Sequence, residues 1–361
     1  MKFFLRVLIT PLALVAVILM GLGVLAWPVQ QPKRAAYKPL TVRRKGAEAG
    51  VSLRQRRRWF AQSIPENWVA LHEPGLRAIF HEQVQAIVAT SPVPRLFNVQ
   101  PSNRAFEETF SVGGVSDLEE FNGTIQYDQM KALWRVVYRH KKYAKGWQID
   151  EDTIADDLYN EITRQPREYG LAAARTREKH AADVFNNAFD DTNHPGYDGE
   201  SLCDVAHPLA PDSAETLSNR GTSALSYDAV IATRRLMRRF TDSRGELVTV
   251  MPDTLVVPLH LEDVALTIVD SMGKPGTANN DTNTQRGRWE VVVWDYLNDT
   301  DNWFMVDGAR ARMHNWWWDR ETPTMMLDPQ SAFNMVVRGR VKGRWSTGWD
   351  DWRWVYGHLV S

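Results

Sequence analysis

The sequence predicts a mixed fold in which runs of helix and runs of strand follow one another along the chain, and three observations predict it. A basic amphipathic helix follows Ser226: Tyr227, Val230, Ile231, Met237 and Phe240 recur at three-to-four-residue spacing, with Arg234, Arg235, Arg238 and Arg239 on the wet side. Residues 107–149 are rich in strand formers, with 124–127 and 134–138 in extended patterns ahead of the polar run 139–142. Between these blocks, Ile154, Leu158 and Ile162 form one apolar stripe at helical spacing. Leu171, Ala174, Ala181, Val184, Phe185 and Phe189 form a second, and Pro166 is expected to kink or break the helix between them.

In chain order, residues 7–27 carry no charge and are long enough to cross a bilayer, with Lys2 and Arg6 before them and Lys33, Arg34, Lys38, Arg43, Arg44 and Lys45 after. At face value this is a membrane anchor, and the heavier positive flank keeps the body of the chain cytoplasmic. Residues 29–50, dominated by Pro, Gln, Lys, Arg and Gly, read as a linker or arm. Helical pattern begins near Leu53, is expected to be interrupted near Pro74 and Gly75, and ends at 91–94. Asp150 is the expected N-cap of the next helix, with Glu151, Asp152, Asp156 and Asp157 placing negative charge at its positive end.

Gly245 supplies the reversal in 241–245, and Leu255, Val256 and Val257 between Pro252 and Pro258 predict a short buried strand. Residues 279–288 are polar and predict a mobile loop before a strand at 289–294. Arg338, Arg340, Lys342 and Arg344 alternate with Val337, Gly339, Val341 and Gly343, so a strand here puts all four cations on one face. Such a row needs an acidic partner surface, a phosphate backbone or open water to offset its self-repulsion. Trp352, Trp354 and Tyr356 alternate too and predict an aromatic strand face buried within the subunit.

Composition narrows the chemistry. With one cysteine, Cys203, among 361 residues, a disulfide framework and a multi-cysteine zinc site are excluded. A net charge of −1 gives no whole-molecule attraction to nucleic acid, so any DNA contact is local. Most of the 15 tryptophans follow Arg288 and point to large buried areas in cores and interfaces. No phosphate-binding loop, GxSxG elbow or HExxH helix occurs. Cys203 and His207 lie four apart without an identifiable third partner, and His180 and His194 show none either. Residues 190–193 and 198–200 lack the order of ligands of a calcium loop and read as a turn-rich segment. No catalytic residue, metal site or cofactor is expected.

Around the helix and strand of 226–258 stand further short pieces: Asp198-Gly199-Glu200-Ser201-Leu202-Cys203-Asp204-Val205-Ala206-His207-Pro208-Leu209, then Ser218-Asn219 and Ala224-Leu225-Ser226. Downstream come Leu261-Glu262-Asp263-Val264-Ala265, Ile268, Ser271 and Trp303-Phe304. In this order they resemble the Mu-type major head subunits of tailed phages, which have the Hong Kong 97-type capsid fold. The resemblance covers the chain from about Glu108 onward. It implies an α+β fold divided into an N-terminal helical arm (51–105), an extended loop (106–149), a peripheral domain with a spine helix (150–225), an axial domain (226–320) and C-terminal strands (321–361).

The function implied is self-assembly, as pentamers and hexamers, into an icosahedral shell in the cytoplasm of a bacterial host. Double-stranded DNA is held inside through non-specific contacts, with a scaffold or a maturation protease as further partners. Arg338, Arg340, Lys342 and Arg344, with Lys141 and Lys142, are the candidate subunit contacts. Some relatives cross-link a loop lysine to an asparagine, but the sequence identifies no matching asparagine. Residues 1–50 are expected to lie outside the working subunit, since a bilayer-length span conflicts with a soluble shell protein. Val51 and Leu53 are residue types that alternative start codons encode, and processing at the linker is the other route. Two rival readings stand: a membrane-anchored cytoplasmic domain of enzymatic or binding function, and an encapsulin-like cellular compartment.

Overall fold

The computed structural model describes residues 65–118, 120–123, 125, 127, 131–150, 152, 156, 161–278, 281–328 and 336–361. The apolar segment 7–27, the arm before residue 65, and Ile154 and Leu158 lie outside them. Among the described residues no helix is long and apolar enough to cross a membrane.

Helix α1 (Pro65–Val88) runs through Pro74 and Gly75, where the sequence predicted an interruption. Pro74 forfeits one backbone bond, but Leu76 and Phe80 just beyond it are buried against the sheet described below, and that packing holds the helix together. A short helix, α2 (Val93–Leu96), and strand β1 (Asn98–Pro101) follow. Strands β2 (Phe106–Val112) and β3 (Ala132–Arg139) pair antiparallel as a separate two-stranded ribbon, Phe106 opposite Arg139 and Val112 opposite Ala132. After one intervening residue, His140, strand β4 (Lys141–Asp150) joins another sheet. The extended pattern predicted over 107–149 thus divides between two sheets. Tyr143 and Trp147 explain the division, since they pack on Trp345 and Tyr169 and so hold β4 to the first sheet. Of the predicted extended piece 124–127, Ile125 and Tyr127 are in no strand, and the other two residues lie outside the described ones.

Asp150 accepts the amide of Asp152 at 3.0 Å, the bond a helix cap makes. Helix α3 (Glu161–Asn186) then continues through Pro166 instead of breaking there. The proline sits in its second turn, and the length beyond it is held by Ala174, Ala181, Ala182 and Phe185, all buried. Three two-residue strands follow: β5 (His207–Pro208), β6 (Thr216–Leu217) and β7 (Arg220–Gly221).

Helix α4 (Tyr227–Met237) starts at Ser226, whose hydroxyl accepts the Ala229 amide. It buries Tyr227, Val230 and Met237 as the stripe predicts; Phe240, beyond its end, is buried too. In the turn that follows, Gly245 has φ +86 and the Asp242 carboxylate accepts the amides of Arg244 and Glu246. Then come β8 (Thr254–Val257), buried throughout, α5 (Glu262–Asp270), β9 (Glu290–Val293), β10 (Trp303–Val306), α6 (Gly308–His314), β11 (Asn315–Asp328), β12 (Val336–Trp349) and β13 (Val355–His358).

Two sheets carry this architecture. One has the order β1-β11-β12-β4, the other β7-β13-β10-β8-β9. The strands of 321–361 therefore separate, β12 into the first sheet and β13 into the middle of the second. Trp352 and Trp354 precede β13 and are buried along with Val355 and Tyr356, so this segment has no wet face to alternate with. The polar run before β9, predicted as a mobile loop, is hydrogen-bonded to its neighbours within its described residues 281–288. Asn283 donates to the carbonyls of Ile268 and Ser271 at the end of α5, and Gln285 accepts the indole N–H of Trp289.

Helices α1 and α3 cover one face of the first sheet, where Leu76 and Phe80 meet Met325, Leu327, Val337 and Val341. Arg177 of α3 ties helix to sheet. Its guanidinium makes two hydrogen bonds to the Asp319 carboxylate, at 2.6 and 3.0 Å, and lies over the Trp317 ring at 4.7 Å. Asp319 also accepts the Trp317 indole N–H at 2.9 Å. Removing one member leaves the other charge largely buried and alone, so Arg177→Ala is expected to cost about 3–5 kcal/mol, read as a lower urea midpoint with an unchanged slope.

His358 closes the second sheet. Its Nδ1 accepts the Ser223 amide, its Nε2 lies 2.8 Å from the Thr233 hydroxyl, and its ring stacks on Trp303. Burial pulls its pKa down to about 4, and burial lowers those of His140 and His180 as well. Below about pH 6.5 the unfolded chain takes up protons that the folded chain refuses, so stability falls as pH drops from there towards 4 and then levels. For His358 alone the loss is roughly 3 kcal/mol across that window. Urea midpoints measured between pH 7 and 5 are expected to fall, and to fall less steeply in His358→Gln.

Candidate functional site

Three surfaces carry the residues that the sequence singles out, and none is a catalytic pocket. The first is the β2–β3 ribbon. Phe106, Phe110 and Val137 occupy its outer face, 45%, 59% and 38% exposed, around an ion pair between Glu108 and Arg135. In the segment joining the strands, Val115, Leu118, Phe121, Ile125 and Tyr127 are exposed as well. A two-stranded ribbon is marginal by itself, and this one displays apolar side chains that water does not stabilise. Its base is firmly held. The Ser102 hydroxyl donates to Glu107 at 2.7 Å and lies 3.1 Å from His140 Nε2, while His140 Nδ1 lies 3.0 Å from the Ser346 hydroxyl of β12.

The second surface is the uncovered face of the first sheet. β12 forms as predicted, with Val337, Gly339, Val341 and Gly343 inward, Arg338 and Arg340 exposed, and Lys342 and Arg344 half-buried. The glycines have a cause, since the Trp147 ring lies against Gly339 and the Trp345 ring against Gly343, where a Cβ would stand. Arg340 pairs with Asp328 at 3.3 Å and Lys342 with Glu321 at 2.6 Å, both acids from β11. Arg344 donates to the Ala105 carbonyl at 3.4 Å. Lys142 sits opposite Arg344 on β4, the sheet's edge strand, and Lys141 opposite Trp345. Both are exposed, and charges on an edge strand also discourage unplanned strand pairing.

The third is a buried knot that explains why the pieces around 198–219 occur together. Asp198 Oδ2 lies 2.7 Å from His207 Nδ1, and Asn219 Oδ1 lies 3.1 Å from His207 Nε2. Asn219 also accepts the Asp204 amide and donates to the carbonyls of Leu202 and Val355, fastening this loop to β13. His207 stacks on Trp352 at 4.5 Å. Cys203 is not brought to His207; its sulfur packs where Gly357 and Phe189 meet, and burial pushes the thiol pKa far up. That environment disfavours the thiolate a nucleophile needs. His180, without a partner in the sequence, accepts the Trp345 indole N–H at 2.9 Å and lies 3.2 Å from the Tyr143 hydroxyl. His194 pairs with Asp190.

Asp191, Glu200 and Asp204 each bring one carboxylate oxygen within 4.8 Å of the others, a grouping that surface acids commonly make. Sequence reasoning missed the Arg177–Asp319 tie and the Ser102–Glu107–His140–Ser346 cluster, because their members lie tens to hundreds of residues apart. The ribbon's exposed apolar side chains were legible as strand formers but not as surface.

The model of the phage capsid protein family matches residues 135–357. Among solved structures, the chain is similar to the capsid of the cyanophage P-SCSP1u, with 12% identity over 74% of this chain and 87% of that one, at a TM-score of 0.52. Two further likenesses are the bacteriophage JBD30 capsid (17% identity, 58% and 91% covered, TM-score 0.46) and Mycobacterium phage Patience (12% identity, 89% and 94% covered, TM-score 0.48). No curated protein matches. The cyanophage likeness reports the fold, an α+β architecture of the Hong Kong 97 capsid type with helices on one face of a mixed sheet and a separate two-stranded ribbon. With the family model matching well over half of its length, the chain belongs to the phage capsid protein family.

Proposed function

We propose that this chain is the major head subunit of a tailed phage, of the Mu type, forming pentamers and hexamers that close into an icosahedral shell around double-stranded DNA in the host cytoplasm. Its role is architectural and no reaction is assigned to it. The observation that carries the reading is the β2–β3 ribbon with its exposed Phe106, Phe110, Leu118, Phe121 and Tyr127. An apolar ribbon outside the core supports the reading because it gains its cover from another copy, as the extended loop of a shell subunit does. The ribbon residues 106–139 take the extended-loop role. Helix α3 takes that of the spine helix in a peripheral domain built on the first sheet, and the second sheet with α4 and α5 takes that of the axial domain. Arg338, Arg340, Lys342, Arg344, Lys141 and Lys142 remain the proposed polar contacts, now with Asp328 and Glu321 as local counter-charges that a neighbouring copy must extend or displace.

The purified protein is expected to sediment as capsomers or shells and to show closed particles in negative stain; a monomer at every concentration and salt would remove the proposal's basis. Replacing residues 115–127 by a short Gly-Ser linker is expected to leave a folded monomer that forms no stable shell. Loss of the subunit fold would instead assign the ribbon to the core.

Reversing Arg338 and Arg344 to Glu tests the cationic face. Assembly is expected to weaken in a salt-dependent way while helix content is unchanged, and unaltered assembly would mark this face as merely solvated.

A further inference from the structure

A cavity of about 530 Å³ opens at one end of the second sheet, lined by Arg234, Arg238, Arg288 and Arg310 together with Asp253 and Asp307. The two carboxylates are already engaged. Asp307 accepts the amides of Met251 (2.7 Å) and Arg310 (3.0 Å), and Asp253 accepts that of Gly308 (2.9 Å). Arg310 is engaged as well, reaching Asp351 at 3.0 Å. Among the described residues, no carboxylate lies within ion-pairing distance of Arg234, Arg238 or Arg288. Arg234 is half-buried, and burial together with the guanidinium groups of Arg288 and Arg238 lowers its pKa. Arg238 and Arg288 are exposed, and the Asp253 and Asp307 carboxylates offset part of the charge, so the four-arginine cavity is left net positive and attracts a further anion.

The opposite end of the same sheet is acidic. Asp295, Asp299 and Asp301, all exposed, lie between β9 and β10, and among the described residues no cation is within ion-pairing distance of them. Strand direction fixes which end is which. β8 and β9 are parallel and β10 is antiparallel to β8. Arg288 and the cavity's 249–253 wall precede β9 and β8, and Asp307 and Arg310 follow β10, whereas the aspartates follow β9 and precede β10. Four residues of strand separate the two ends by roughly 13 Å, so the acidic turn does not reach the arginines of its own subunit. Asp299 holds the turn by accepting the amides of Asp301 and Asn302 at 2.8 and 2.9 Å. Asp295 and Asp301 are left to face outward. A ring of identical copies joined head to tail brings unlike patches of one surface together at every contact.

We infer that the cavity of Arg234, Arg238 and Arg288 receives the carboxylates of Asp295 and Asp301 from an adjacent copy of this chain, locking the second sheets of neighbouring subunits end to end. The contact rests on the shell-subunit reading given above.

The test is a charge swap in the full chain. Arg234→Glu with Arg288→Glu, and separately Asp295→Lys with Asp301→Lys, are each expected to lower shell yield at least tenfold while the monomer keeps its circular dichroism spectrum. The four-site variant carrying both pairs is expected to recover shells, since every copy then offers an acidic cavity to a basic turn. Failure of the four-site variant to recover, with its monomers folded and the unaltered chain assembling, would overturn the contact and leave the shell reading standing. So would two-site variants that assemble as well as the unaltered chain, or arginine variants that form shells but retain less DNA, which would make phosphate the occupant. Should a reversal unfold the monomer, Arg234→Gln with Arg288→Gln and Asp295→Asn with Asp301→Asn replace it. Those neutral pairs are expected to lower the yield and weaken its dependence on salt, and an undiminished salt dependence would count against the contact.

Discussion

The antiparallel pairing of β11 with β12 is the constraint on which the rest of the structure depends. It supplies the inner two strands of the first sheet, receives β1 on one side and β4 on the other, and offers Met325, Leu327, Val337 and Val341 to the helices above. Elements from the first half of the chain therefore find their places only against strands from its end. Contacts of such sequence separation fold slowly and expose strand edges meanwhile. The tryptophans ease this difficulty. Trp317 and Trp345 are buried towards one end of the pairing, with Arg177 clamped over them.

What was legible in the sequence follows from the range of the forces involved. Helix α4, the Gly245 turn, the buried strand β8 and the alternation along β12 were all readable because each depends on neighbours a few residues away. The interruption expected at Pro74 and the break weighed at Pro166 did not occur, since Leu76, Phe80 and Phe185 pack against distant strands and outweigh one lost backbone bond. The polar run before β9 misled for the same reason. Asn283 and Gln285 look like solvent-seeking residues until the open carbonyls of α5 and the Trp289 indole are seen beside them. The family resemblance, by contrast, was carried by pieces whose proximity is itself tertiary, and the bonds among Asp198, His207 and Asn219 give those pieces a physical reason to occur together.

Charge is distributed so that the subunit has directional surfaces. The row on β12 is partly neutralised by Asp328 and Glu321 of the adjacent strand, which lets a single-signed strip exist without destabilising the sheet. On the second sheet the arginines gather at one end and an acidic turn, unpaired among the described residues, stands at the other. Apolar attraction along the ribbon lacks the directionality that such charges supply, and a shell subunit needs both.

The single residue between β3 and β4 has a mechanical meaning. His140 joins the ribbon to an edge strand with no slack, and both of its ring nitrogens are held, one beside Ser102 and the other beside Ser346. A force applied to the ribbon therefore passes through this one residue into β4 and along its bonds to β12, while Gly113 and Gly114 against Ser243 and Asp242 brace the ribbon's far end on the second sheet's side of the molecule.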